Sequence, residues 1–227
     1  MSEKTYLVTG CSSGIGYSIC QSLLAACATV YGVARRDPKI DNPNFYFVPM
    51  DLGQLVDQAP QLPQISKIDG IICAAGIMKG DPITALKMDD LDLMWTVHLR
   101  AHVQLVQALS PVLSRGGRIV FIGSRVATGA ANKSAYAATK SALLGFSRSI
   151  AAELVDREIT VNVVSPAATD TPMLSDPSRA HIAPKLPPMG RLIDPKEIAG
   201  TVEFLLSDAA RSITGQNIVV CAGSSLG

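Results

Sequence analysis

A tyrosine and a lysine four residues apart, in Tyr136-Ala-Ala-Thr-Lys140, are the first residues in this sequence whose types and spacing could do chemistry. On a helix, that spacing sets both side chains on one face. An ammonium beside a phenol lowers the phenol pKa, which makes tyrosine a usable proton donor and acceptor. Taken alone, such a pair also occurs on ordinary helix surfaces. Ser124 closes an apolar run upstream, at the kind of strand end where an open α/β sheet places its ligands. A second candidate lies near the start, in Tyr6-Leu-Val-Thr-Gly10-Cys-Ser-Ser-Gly14-Ile-Gly16. Its glycines would let the backbone approach a pyrophosphate, and the helix opening behind them would offer free N–H groups to the anion. The spacing is Gly-x-x-x-Gly-x-Gly rather than Gly-x-Gly-x-x-Gly, and a tight strand-to-helix turn without a ligand would read the same way.

These residues need a scaffold, and the hydrophobic pattern supplies one. Short, nearly continuous apolar runs at 5–9, 29–34, 45–49, 70–74, 118–123, 160–165 and 217–221 predict parallel strands covered on both faces. Helical periodicity falls at 14–26, 89–114, 134–155 and 195–207. Repeated strand–helix order predicts a doubly wound α/β sheet with right-handed crossovers. Between Arg35 and Asn44 two prolines leave no room for a helix, so a loop is expected. The proline-rich stretch 166–195 reads as a lid or binding loop. No domain boundary stands out, so 1–227 is expected to be one domain.

Composition narrows the function. The chain has 227 residues, 48% hydrophobic and 17% charged, which excludes a disordered protein. Its net charge is +1, so binding to nucleic acid by phosphate neutralisation is not expected. The low charge also hints at surface covered by other subunits. Five cysteines at scattered spacings, with no Cys-x-x-Cys, suggest reduced thiols in a cytoplasmic protein. The stretch 5–34 carries no charge, but its glycines, serines and glutamine interrupt any membrane span or signal peptide.

Together these features resemble the classical short-chain dehydrogenase/reductase family over nearly the whole chain. Thr9-Gly10-Cys-Ser-Ser-Gly14-Ile-Gly16 is similar to that family's cofactor motif, Tyr136-x-x-x-Lys140 to its catalytic pair, and Ser124 to its catalytic serine. Ser124 precedes the tyrosine by twelve residues where thirteen is common. Asp51-Leu52 resembles the pair that contacts adenine. The segment from Val161-Asn-Val-Val-Ser-Pro166 to Thr171-Pro-Met173 resembles the one that holds the nicotinamide, and Gly190-Arg191 with the Gly215 to Gly223 end fits the family's last helix and strand.

The resemblance implies a single Rossmann-like α/β domain with about seven strands. It also implies reversible hydride transfer between a nicotinamide and a carbonyl or alcohol. Ser124 would hydrogen-bond the carbonyl oxygen, Tyr136 would deliver the proton, and Lys140 would assist the tyrosine and hold the nicotinamide ribose. By the same resemblance Gly10, Ser12, Ser13, Gly14, Ile15, Gly16, Asp51, Leu52, Ala74, Ala75, Gly76, Pro166, Ala168, Thr169 and Thr171 would contact the cofactor. The alternative is a nicotinamide-nucleotide-binding protein of this fold without catalysis.

Three departures from the family pattern stand out. Cys73-Ala-Ala-Gly76 replaces Asn-Asn/Ala-Ala-Gly, and Pro166-Ala167 replaces Pro-Gly. His98, in Val97-His98-Leu99, stands where the family has a catalytic asparagine whose carbonyl holds a water leading to the lysine. A backbone carbonyl survives substitution, so His98 is counted with the catalytic residues. His98 and His102 are four apart, but no third ligand accompanies them and no metal is expected. Arg35 and Arg36 follow the second strand where NAD-preferring members carry an acid, and a guanidinium there would favour NADP(H). Met78, Val126, Met173, Leu174, Leu186 and Met189 would surround the nicotinamide end and suit a partly apolar carbonyl compound. Arg125, directly after Ser124, could meet an anionic substrate group, although a solvated surface arginine is the commoner reading. The apolar circumference of helix 134–155, with its neighbour 89–114, would build a homodimer or homotetramer.

Overall fold

The apolar runs become strands, and those at the centre of the sheet are buried from both sides. In a computed structural model that describes residues 4–56, 59–175 and 185–226, seven parallel strands form one sheet. They are β1 (Thr5–Thr9), β2 (Thr29–Ala34), β3 (Phe45–Pro49), β4 (Ile68–Cys73), β5 (Leu113–Ile122), β6 (Thr160–Pro166) and β7 (Asn217–Val220). Their order is β3-β2-β1-β4-β5-β6-β7, with the direction of travel reversing between β1 and β4. That reversal opens a crevice at the carboxyl ends of the two strands, where open α/β sheets bind ligands.

Alternate side chains of each strand feed two cores. Tyr6 and Val8 of β1 pack on one face with Ile19 and Leu23 of α1 (Gly14–Ala25), while Leu7 packs on the other. The first face also takes Val202 and Leu205 of the last helix, Pro195–Leu206, and the second takes Leu143 and Ile150 of the helix Ser134–Leu154. Both cores are mainly Val, Ile, Leu and Ala with almost no water access, so the strand ends that carry the site are held rigidly.

The expected helix 89–114 is broken. Helix α2 (Met88–Trp95) passes through a single wide turn, Thr96–Arg100, into α3 (Ala101–Leu109). Ser110–Val112 then forms a tight turn, because Pro111 lacks the N–H needed to continue the helix. Strand β5 starts at Leu113 rather than at 118, through a register shift against β4 between Ile68 and Gly70. Ser114, expected to end the helix, lies in that strand and donates to Asp69 Oδ1 at 3.0 Å. The other helices are α4 (Ser134–Leu154) and α5 (Pro195–Leu206), each within a residue of expectation. As expected, the segment between β2 and β3 is a loop. No helix among the described residues is long and apolar enough to cross a membrane.

Candidate active site

The crevice holds two connected clefts that share Ile15, Ala74, Gly76, Thr171 and Met173. The first, about 440 Å³, runs over the turn between β1 and α1. Gly10 sits at φ +73°, and a Cβ there would lie 2.9 Å from the Ala75 backbone. A Cβ on Gly16 would overlap the carbonyl oxygen of Gly10. Glycine is therefore required at both positions, and the turn closes tightly enough to bring the first turn of α1 into the cleft. Ser12, Ser13, Gly14, Arg35, Arg36, Asp51, Leu52 and Ala75 line the rest of it. The Asp51 carboxylate is held by the Gly53 N–H at 2.9 Å.

The second cleft, about 760 Å³, is walled by Ser124, Tyr136 and Lys140 and by Pro166, Ala168 and Thr169. Every expected catalytic or cofactor-contacting residue except His98 lines one cleft or the other. Ser124 comes from the end of β5, and its Oγ accepts from Val126 N–H at 3.1 Å. Tyr136 and Lys140 come from the first two turns of α4, with the Lys140 Nζ 6.0 Å from the tyrosine ring centroid. Lys140 is fully buried and donates to the Ile122 carbonyl at 2.8 Å. Loss of water pushes its ammonium down to about 8, with the Cys73 thiol acting in the opposite direction. Of the expected apolar wall, Met78, Val126, Met173, Leu174 and Leu186 are present. Met189 is not: its N–H donates to the Ala222 carbonyl, and its side chain is exposed to solvent.

His98 lies behind the cleft, fully buried in the wide turn between α2 and α3. Its partners fix its tautomer. Ile77 N–H can only donate, so His98 Nε2 accepts from it at 3.1 Å. Nδ1 must then carry the proton, which it gives to Thr139 Oγ1 at 2.9 Å. Thr139 in turn donates to the Tyr136 carbonyl at 3.0 Å. His102 continues the chain on the other side, donating from Nδ1 to the His98 carbonyl at 2.9 Å. The Thr9 hydroxyl, 3.1 Å from His102 Nε2, accepts from Ala75 N–H at 2.9 Å. Burial, helped by the nearby Lys140 charge, drives His98 well below the ordinary histidine pKa, and burial drives His102 down to about 4. Both rings are neutral.

The sequence suggested a carbonyl at His98 free for a water; that carbonyl already accepts from His102, so a water there would have to share it. The His98 imidazole lines neither cleft. Thr9, His102 and Thr139 escaped the sequence reading as parts of this hydrogen-bonded chain. Arg125 also differs from expectation: it lines the second cleft half-buried rather than standing in solvent.

A family model described as enoyl-(acyl carrier protein) reductase matches residues 49–225. The 3-oxoacyl-[acyl-carrier-protein] reductase of Salmonella typhimurium is 36% identical, covering 97% of this chain and 96% of that protein. L-xylulose reductase of Bos taurus is 32% identical, covering 98% and 97%. Among solved structures, a short chain dehydrogenase family protein from Francisella tularensis superposes with a TM-score of 0.88 at 26% identity over all of both chains. A Burkholderia cenocepacia short chain dehydrogenase in complex with NADP reaches 0.83 at 28% identity over 98% of each chain. A Brucella melitensis 3-ketoacyl-(acyl-carrier-protein) reductase complexed with NADH reaches 0.83 at 25% identity, again over 98% of each. The sheet order, the glycine turn and the Ser124–Tyr136–Lys140 constellation define a nicotinamide-binding α/β oxidoreductase. The chain belongs to the short-chain dehydrogenase/reductase family, and the non-catalytic alternative is not favoured.

Proposed function

We propose that this protein is an NADP(H)-dependent reductase of a partly apolar ketone or aldehyde, working from a single domain spanning 1–227. The observation that carries the reading is the convergence of Ser124, Tyr136 and buried Lys140 on a cleft continuous with the glycine turn. The two clefts together offer the elongated space a dinucleotide needs, and the close approach at Gly10 and Gly16 suits a pyrophosphate over the first turn of α1. When bound, the nicotinamide supplies or accepts the hydride.

The chain's own residues handle binding, orientation and the proton. Ser124 Oγ, turned by its bond from Val126 N–H, donates to the substrate carbonyl oxygen. Tyr136 delivers its phenolic proton to that oxygen as charge develops on it. The Lys140 ammonium stabilises the charge left on the phenol and holds the nicotinamide ribose. His98 and Thr139 hold Tyr136 and its helix in register with the Ala75–Ile77 backbone beneath the cofactor.

NADP(H) is favoured over NAD(H) because Arg35 and Arg36 line the first cleft just past β2, where a 2′-phosphate would meet them. The exposed Trp95 and Leu93 on α2, beside α4, support a homodimer or homotetramer built on these helices. The five free cysteines fit the reducing cytoplasm. The test is a carbonyl and alcohol panel followed at the nicotinamide absorbance with NADPH and with NADH. Reduction of apolar ketones with NADPH is expected; activity confined to polar polyols, or a preference for NADH, contradicts the reading.

A further inference from the structure

Among the described residues that line the substrate cleft, the charged side chains are Arg125, Lys133, Lys140 and Lys185, with no Asp or Glu among them. The dinucleotide cleft differs, since Asp51 stands there with Arg35 and Arg36. Lys140 is spent on the tyrosine and the ribose. Arg125 has no such task. It follows Ser124 directly and opens the short turn Arg125–Thr128, so its side chain leaves the backbone beside the reacting position. Its Nε is enclosed and has no hydrogen-bond partner. A buried N–H left unpaired is costly, and in a native protein such a group calls for an explanation.

Resting on the reductase reading above, we propose that the substrate is an oxo acid whose own carboxylate is held by Arg125 while its carbonyl lies at Ser124 and Tyr136. A guanidinium presents a planar fork that matches a carboxylate with two parallel hydrogen bonds. Because Arg125 and Ser124 are consecutive, the carboxylate and the carbonyl of the substrate must lie near each other along the molecule. Met78, Val126, Leu174 and Leu186 cover its apolar remainder. The charge of Lys185 draws an anion toward the mouth. With no Asp or Glu among the described lining residues, a neutral ester leaves Arg125 unpaired and an ionised acid does not.

The test uses a short series of oxo acids that differ in the spacing between carbonyl and carboxylate, each paired with its methyl ester. Wild-type protein should reduce at least one acid with a kcat/KM about tenfold or more above its ester, the size of one charge-assisted hydrogen bond. In Arg125→Met the acid-to-ester ratio should fall toward one, and Arg125→Lys should restore part of it. Calorimetric titration of the same pairs into the NADP⁺-loaded protein reads the preference without turnover. Acid-selective binding that Arg125→Met removes supports the inference even where no carbonyl compound is turned over, a result that would fault the reductase reading alone. Equal treatment of acid and ester in every pair, or a ratio that Arg125→Met leaves unchanged, overturns it.

Discussion

At one end of the crevice Lys140 is 3% exposed, its ammonium enclosed by β5, His98 and the Tyr136 ring. At the other end Arg35 and Arg36 stand in solvent beyond β2. The first charge acts in a low-dielectric setting, where a change of charge or position is felt strongly. The second pair acts through water and salt, so it can tune a preference but cannot carry a reaction. On the reading proposed above, the reacting end is set by burial and the cofactor choice by exposed charge.

Removing the buried charge should do the most damage. In Lys140→Ala, kcat/KM for carbonyl reduction should fall by about a thousandfold, within the range of a lost proton-transfer assistant. Cofactor affinity should fall with it, because the ribose loses a partner. Steady-state kinetics with direct cofactor titration would show both losses; a variant with near-normal kcat would place the chemistry elsewhere.

A smaller effect is expected at the exposed end. Arg35→Ala should reduce the NADPH-over-NADH ratio of kcat/KM by about tenfold to a hundredfold, as one charge-assisted phosphate contact is lost. Added salt should shrink the wild-type ratio in the same direction. An unchanged ratio would remove Arg35 from the phosphate site.

The histidine pair behind the tyrosine should report in stability before activity. Both rings are neutral in the folded chain, whereas in the unfolded chain each takes up a proton near the ordinary histidine value of 6.5. Their contribution is therefore present above pH 6.5 and is lost as pH falls, for His102 down to about 4. Each ring adds about 1.4 kcal/mol per pH unit to the slope of stability against pH in that window. Urea unfolding of His98→Asn across this range should show a slope shallower by that amount, while an identical slope would mean His98 is charged when folded. The smallest change should come from Trp95→Asp on the outer face of α2, which should lower the assembled mass in light scattering and leave the far-ultraviolet spectrum unchanged. A monomeric wild type would refute the interface.

The same contrast marks what the sequence could show. A strand such as β1 was legible because its apolar run Tyr6–Val8 is unbroken, and α4 because its periodicity runs to its end. The break in 89–114 was not, since one extra residue in the Thr96–Arg100 turn leaves the apolar pattern nearly intact. Pro111 was the available signal for the helix end. Ser124, Tyr136, Lys140 and the glycine turn were readable from spacing. The hydrogen bonds of His98 were not, because Ile77 and Thr139 lie 21 and 41 residues away and only the packed fold joins them. Arg125 looked like a surface residue because nothing in a sequence tells which way a turn after a strand faces.

Tyr136→Phe tests the central claim most directly, since it removes one oxygen from the cleft and keeps the ring that packs against His98. Turnover of any carbonyl substrate should be abolished, and titration should find NADPH bound nearly as tightly as by wild type. A variant that retains most of its turnover would contradict the assignment of Tyr136 as the proton donor, and with it the mechanism drawn from this cleft.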